Sequence, residues 1–357
     1  MLDWLFGFRV KVSWHDLGGG RRVCVAAPME TSSPSKRWRY SEANDARASP
    51  LANGGSSSND LLPVSIWLAG GGLFRINPAL LAYCVRAYAS RGHLVVAPVY
   101  ALSSPPVLYI LRSVLAVALF TIIGSFYYPD SVPRIPVVPE LVTAMLVGLC
   151  VGGLLLVPRF LCTHAPQHPD HVRDAARAVA WAVVHAPFHG GDVSKVTLAG
   201  HSAGGQLACM LLLQPQWLAE VGLDHSVLRG LLLLSPVVDW TWLSSVPAYV
   251  RHFSRELWIR SQFGTATPLA HVSPLHLTRS AKSVPNVPVL LVRAGREFGP
   301  MVNRWALQAL DLPAMERALR EAGVEWCSLE RARGGHVAAL FYLGEWWERS
   351  HPFWLQG

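Results

Sequence analysis

Residues 196–205 read Val-Thr-Leu-Ala-Gly-His-Ser-Ala-Gly-Gly, a short apolar run that closes on Gly-His-Ser-Ala-Gly and continues as Gln206-Leu207-Ala208-Cys209-Met210-Leu211-Leu212-Leu213. The pattern is strand, sharp turn, helix. A serine at such a turn sits in a strained backbone conformation that small neighbours permit, and Gly200 and Gly204 supply that room on either side. Ser202 Oγ is then pushed out at the carboxyl end of the strand. A chain with 29 glycines can produce such a pattern by accident. The motif therefore carries weight only if the surrounding chain builds a sheet around it.

The surroundings do alternate in that way. Residues 10–29 read as a hairpin about Gly18-Gly19-Gly20, with Val10, Val12 and Trp14 on one arm and Val23, Val25 and Ala27 on the other. Residues 31–60 change to Ser, Pro, Asn, Gly, Arg and Lys, a low-complexity loop that takes no part in chemistry. Strand 62–68 then runs into Ala69-Gly70-Gly71-Gly72, a helix is predicted over 77–90, and strand 93–100 completes a βαβ unit. After Pro158 the rhythm resumes. A helix over 171–185 presents Val172, Ala175, Ala176, Val179, Ala180 and Val183, and buried strands follow at 196–200, 230–239, 287–295 and 326–330. Residues 306–323 are mostly helical, and 240–285 form a Trp- and Pro-containing region without a clear period. Strands that are apolar on both faces and alternate with helices imply an α/β, doubly wound, mostly parallel sheet.

Between the two halves stand Val107–Tyr128 and Val137–Val157, nearly unbroken apolar stretches joined by the turn-rich segment 129–136. Roughly 20 apolar residues span a bilayer core. The spacing suits a two-helix transmembrane hairpin, which returns the chain to the side it left. The alternative is a pair of apolar cap helices over the mouth of a site. Composition agrees that part of the molecule is greasy, with 51% apolar and 15% charged residues, against about a quarter charged in an average domain. The net charge of +8 is scattered rather than arrayed in a stripe, which fits an anionic membrane surface better than nucleic acid. Cys24, Cys84, Cys150, Cys162, Cys209 and Cys327 have no C-x-x-C spacing and lie in apolar segments, so they read as buried thiols, with no metal site and no cofactor expected. The organisation expected is thus 1–30 as amino-terminal strands, 31–60 as the loop, 61–100 as the first part of the main domain, 101–163 as the apolar insertion and 164–357 as its second part.

A serine hydroxyl becomes a useful nucleophile only when a base takes its proton, and the base works only when oriented. His336, in Arg333-Gly334-Gly335-His336 after the last strand, can reach back to Ser202. Glu297, after the preceding strand, can accept the histidine Nδ1 proton. Asp239, after Ser-Pro-Val-Val, is the rival acid and could equally cap a helix. Gly71 and Gly72, with Ala203 at the helix start, can aim backbone N–H groups at a developing oxyanion.

Together these motifs resemble the α/β-hydrolase family, in its esterase branch of hormone-sensitive-lipase-like carboxylesterases and prenylcysteine methylesterases. The resemblance covers residues 62–100 and about 164–343, including Asp170-His171-Val172-Arg173-Asp174-Ala175-Ala176, Gly190-Gly191-Asp192 and Ala199–Gly205. It implies Ser202 as nucleophile, Glu297 as acid, His336 as base and Gly71, Gly72 and Ala203 as oxyanion donors. The chain departs from that branch at Ala69, where His is usual, at Glu297, where Asp is more frequent, and in carrying the apolar pair. The function expected is hydrolysis of a carboxylic ester through an acyl-enzyme, on an amphiphilic or lipid-like substrate. The rival expectation is a catalytically silent, membrane-tethered binding module. The expected setting is an intracellular membrane, such as the endoplasmic reticulum with the catalytic domain facing the cytosol. Oligomeric state is left open.

Overall fold

The computed structural model describes residues 9–29, 61–103, 165–245, 259–264, 266–296, 308–325 and 327–342. The low-complexity segment 31–60, the apolar stretches 107–128 and 137–157, and Glu297 lie outside the described residues.

Eight strands form one sheet in the order β1-β2-β4-β3-β5-β6-β7-β8. They are β1 Val10–Gly18, β2 Arg21–Pro28, β3 Leu62–Leu68, β4 Leu94–Val99, β5 Gly191–His201, β6 Leu228–Leu234, β7 Val289–Arg296 and β8 Cys327–Gly335. The β1–β2 and β2–β4 pairs are antiparallel and the remaining pairs parallel. From β3 the sheet grows in one direction through β4, and from β5 in the other through β6 to β8. The carboxyl ends of β3 and β5 therefore flank the switch point at which open α/β sheets form a crevice. Leu68 pairs with Gly200, so the Gly70–Gly72 loop and Ser202 leave the sheet side by side.

Helices cover both faces. Helix α1, Pro78–Ala89, packs Leu81, Cys84, Val85 and Tyr88 against Trp67, Val95 and Leu232. Its start follows from local chemistry: Asn77 Oδ1 accepts from the N–H groups of Ala79 and Leu80, and Pro78 needs no N–H partner in the first turn. Helices α2, Asp170–His185, and α3, Ala203–Leu213, cover the opposite face together with α4, Gln216–Ala219. Further along come α5, Arg260–Phe263, α6, Pro274–Ser280, and α7, Leu312–Glu321. Each fully buried Trp, Tyr, Leu or Ile on these faces contributes roughly 1.5–3 kcal/mol of apolar burial, which is why two cores share one sheet. Among the described residues no helix is long and apolar enough to cross a membrane.

Two expectations are corrected in detail. The buried face of α2 is His171, Val172, Asp174, Ala175, Ala176, Ala178, Val179 and Ala182, so Ala180 and Val183 sit on its edge. The helix tolerates a buried carboxylate because Asp174 meets Arg21 (2.9 Å), Arg177 (2.8 Å) and the Ala101 N–H (2.9 Å). Strand β6 stops at Leu234 rather than at residue 239, because Ser235 turns to φ 42° and Pro236 has no N–H for a ladder. Trp14 is 47% exposed, with the Arg22 guanidinium over its ring at 5.1 Å.

Candidate functional site

At the end of β5 the chain turns into α3 through Ser202, whose φ of 52° and ψ of −120° are sterically costly for a residue with a Cβ. The turn is enforced by close backbone packing. A Cβ on Gly204 would run into the Leu68 carbonyl and meet the Ala69 carbonyl at 2.6 Å. The Ser202 N–H donates to Leu234 O (2.9 Å), and Ser202 O accepts from the N–H groups of Gln206 (3.0 Å) and Val237 (3.3 Å). Ser202 is thereby fixed by β6, by the loop after it and by its own helix.

Ser202 and His336 line one cavity of about 550 Å³, and so do Gly71, Gly72 and Ala203. Sequence-distant residues are brought together as the motif spacing predicted. Trp67, Leu80, Leu81, Cys84 and Leu340 make one side of the cavity apolar, and Trp240, Trp242 and Leu310 line another part. No Asp or Glu lines it among the described residues. Burial pushes the Cys84 thiol well above its usual range, so this cysteine acts as apolar wall.

The backbone N–H groups of Gly71, Gly72 and Ala203 donate to no acceptor among the described residues. Ala203 opens α3, where a helix leaves its first N–H groups unclaimed and adds the positive end of its dipole. Gly71 adopts φ 145° and a Cβ there would fall on the Arg75 carbonyl, so the loop can take this path only with glycine.

His336 directly follows β8, and its ring packs on that of His201, with centroids 4.7 Å apart. His201 Nε2–H donates to the His336 carbonyl oxygen at 3.0 Å. Burial, and then the neighbouring His336, bring the His201 pKa down to about 3. His201 is therefore a neutral donor under the turn that carries His336. Nothing in the Gly-His-Ser-Ala-Gly pattern distinguished this inward-facing role from a variable motif position.

The two candidate acids differ. Asp239 does not line the cavity. Its Oδ1 accepts from both the N–H and the hydroxyl of Thr241 at 2.7 Å, starting the 3-10 turn Thr241–Ser245. Glu297 lies outside the described residues, and β7 ends at Arg296 just before it. Two supports of the glycine loop were not foreseen: the Tyr100 hydroxyl donates to Ala69 O (2.6 Å), and Gln262 Nε2 donates to Gly72 O (2.9 Å). Neither has a local signature, since each partner is distant in sequence. The described cysteines Cys24, Cys84, Cys209 and Cys327 are free and buried. Among the described residues no group of three or more His, Cys, Asp or Glu is placed to hold a metal ion.

A sequence model of the alpha/beta hydrolase fold matches residues 162–298. The chain is similar to the probable carboxylic ester hydrolase LipM of Mycobacterium tuberculosis, 41% identical over 54 residues, which are 15% of this chain and 12% of that relative. It is similar to the esterase LipC of the same organism, 41% identical over 70 residues, which are 18% of this chain and 17% of that relative. The matched segments thus span less than a fifth of either relative. Among solved structures, a butyrate-bound thermophilic esterase from Thermogutta terrifontis superposes with a TM-score of 0.51 at 18% identity, covering 97% of this chain and 95% of that one. The same esterase phosphonylated by sarin gives 0.52 at 17% identity, covering 95% and 94%. At such identities the likeness establishes the fold.

Proposed function

We propose that this chain, which has the α/β-hydrolase fold, hydrolyses a carboxylic ester through a covalent acyl-enzyme on Ser202. The observation that carries this reading is that one apolar cavity holds a strained-turn serine, a histidine and three unclaimed backbone N–H groups. Ser202 Oγ attacks the ester carbonyl carbon while His336 takes its proton. The carbonyl oxygen becomes an oxyanion held by Gly71, Gly72 and Ala203 N–H, each donor being worth roughly 3 kcal/mol to the transition state. The intermediate collapses, the alcohol leaves with the proton from His336, and a water activated by the same histidine releases the acid.

In this reading Glu297 orients His336. Its support is the register: Arg296 pairs with Gly335, and Glu297 and His336 are the residues that follow these two in the sequence. Asp239 is already committed to Thr241. The substrate class is an ester with a substantial apolar part, supported by the Trp67, Leu81 and Leu340 wall and the absence of lining carboxylates among the described residues. We also propose that the apolar stretches 107–128 and 137–157 hold the enzyme at a membrane; this rests on their hydropathy alone. Resistance of the full chain to alkaline-carbonate extraction is the expected result. Release into the supernatant contradicts it.

Turnover of p-nitrophenyl esters of graded chain length, with and without detergent micelles, tests the activity. Wild type is expected to hydrolyse them, and Ser202→Ala or His336→Ala to lower kcat by about 10³-fold or more. Full activity in Ser202→Ala overturns the nucleophile assignment, and an inert but folded wild type leaves a binding module. For the acid, Glu297→Ala is expected to lower kcat by at least about 100-fold. Asp239→Ala is expected to keep turnover while losing about 1 kcal/mol of stability from the cap.

A further inference from the structure

We infer that Tyr100 and Gln262 are positioning residues that fix the two peptides flanking those that carry the Gly71 and Gly72 N–H donors, an inference that rests on the ester-hydrolase reading above. A trans peptide points its N–H opposite to its C=O, so a held carbonyl aims the N–H of the next residue, and holding the peptides on either side limits how far an unheld one can turn. In the Ala69–Leu73 loop every carbonyl but that of Gly70 is held. Ala69 O accepts from the Tyr100 hydroxyl at 2.6 Å. Gly71 O accepts from the N–H groups of Phe74 (3.2 Å) and Arg75 (3.3 Å), which turns the Gly72 N–H the other way. Gly72 O accepts from Gln262 Nε2 at 2.9 Å, and Leu73 O accepts from the Ser103 N–H at 2.8 Å. Only the Gly70–Gly71 peptide, which carries the Gly71 donor, has no claimed carbonyl among the described residues, and it is fixed from both sides.

Both side chains are committed to this task by their surroundings. Tyr100 is 1% exposed and Gln262 also 1% exposed, so each is a polar group in an apolar environment that must find a partner. Gln262 comes from α5, between the buried Ser261 and Phe263, and its own carbonyl accepts from the His168 N–H at 2.7 Å. The amide therefore extends from a fixed backbone. Its bond also opposes a local strain. Leu73, the residue after Gly72, is held at φ 62° with its side chain buried, a conformation that a non-glycine residue leaves readily when released. Without the Gln262 donor, the Gly72–Leu73 peptide is free to rotate, and the turn that brings the Phe74 and Arg75 N–H groups to Gly71 O, and so aims the Gly72 N–H, loses its hold.

The test compares wild type with Gln262→Met, Gln262→Glu and Tyr100→Phe in the full chain. Steady-state hydrolysis of a p-nitrophenyl ester is measured together with inhibition by a trifluoromethyl ketone, whose serine adduct places an oxyanion in the hole. Each variant is expected to lower kcat about tenfold, a fraction of the loss of a whole donor. KM should stay within about twofold, and the ketone inhibition constant should rise by the same factor as kcat falls. A merely structural role would lower the melting temperature and leave kcat and ketone affinity of the folded protein unchanged, and that result overturns the inference. Three variants guard against one that fails to fold, with Tyr100→Phe removing a single oxygen. Wild-type turnover separates the layers: active wild type with unimpaired variants overturns the positioning roles and leaves the hydrolase reading intact. A wild type that turns over no ester overturns both.

Discussion

The turn at Ser202 and the loop at Gly70–Gly72 lie side by side at the carboxyl ends of β5 and β3, yet they are held by different means. The turn is fixed by backbone against backbone: Gly204 has no room for a Cβ beside the Leu68 and Ala69 carbonyls, and one on Gly200 would meet Gly204 O at 2.5 Å. The loop shares that crowding, since a Cβ on Gly71 would fall on the Arg75 carbonyl, but it is held in addition by side chains sent from elsewhere, Tyr100 and Gln262. Under the proposed function, the turn that carries the nucleophile is thus held by backbone alone, and the donor loop by backbone together with two distant side chains. Sterics tolerate almost no substitution. Hydrogen bonds can be removed singly while the fold survives.

That contrast is open to attack from the strongest perturbation downwards. Gly204→Val is expected to prevent folding or to lower stability by more than about 4 kcal/mol, since a branched side chain cannot enter between α3 and the end of β3. Circular dichroism and thermal denaturation would show it. A native-like, active Gly204→Val protein means that the turn is not sterically locked. Gly71→Ala should do the reverse, with the melting temperature down by a few degrees but kcat down about 100-fold, because the loop must leave φ 145° and the Arg75 carbonyl while the sheet stays intact. Equal loss of stability in both variants would erase the distinction. Tyr100→Phe and Gln262→Met, expected near tenfold in kcat, are the gentlest probes of the loop.

Acid provides a perturbation without mutation. Burial lowers the pKa of His171 to about 4, and burial with the adjacent His336 lowers that of His201 to about 3. An unfolded chain protonates these imidazoles near pH 6.5, so it binds more protons than the folded protein between there and about pH 4. The stability from keeping them neutral is complete above pH 6.5 and is lost as pH falls. Between pH 7 and 5 the loss is about 2 kcal/mol for each histidine. Chemical denaturation at the two pH values checks this, and equal stability at pH 5 and 7 would contradict the buried, neutral state of both rings.

How far the sequence disclosed this arrangement follows the same division. Strand and helix positions were legible because runs such as 230–234 and 289–292 are buried on both faces, and Asn77-Pro78 announces a helix start. Ser202, Gly71, Gly72, Ala203 and His336 were legible because local turn chemistry and chain order reveal them, and they do line one cavity. Tyr100, Gln262 and the inward role of His201 were not, since their partners lie 31, 190 and 135 residues away. Gln262 also belongs to the region without a period. The capping role of Asp239 was one of two readings of a single carboxylate, and only the Thr241 contacts bring it forward.

Treating the full chain with a fluorophosphonate and mapping the adduct by peptide mass spectrometry asks whether Ser202 is the reactive group. One phosphonyl group per molecule on the peptide bearing Ser202, absent from Ser202→Ala, is the expected result. A folded wild type that takes no label, or a Ser202→Ala protein labelled to the same extent, would contradict it.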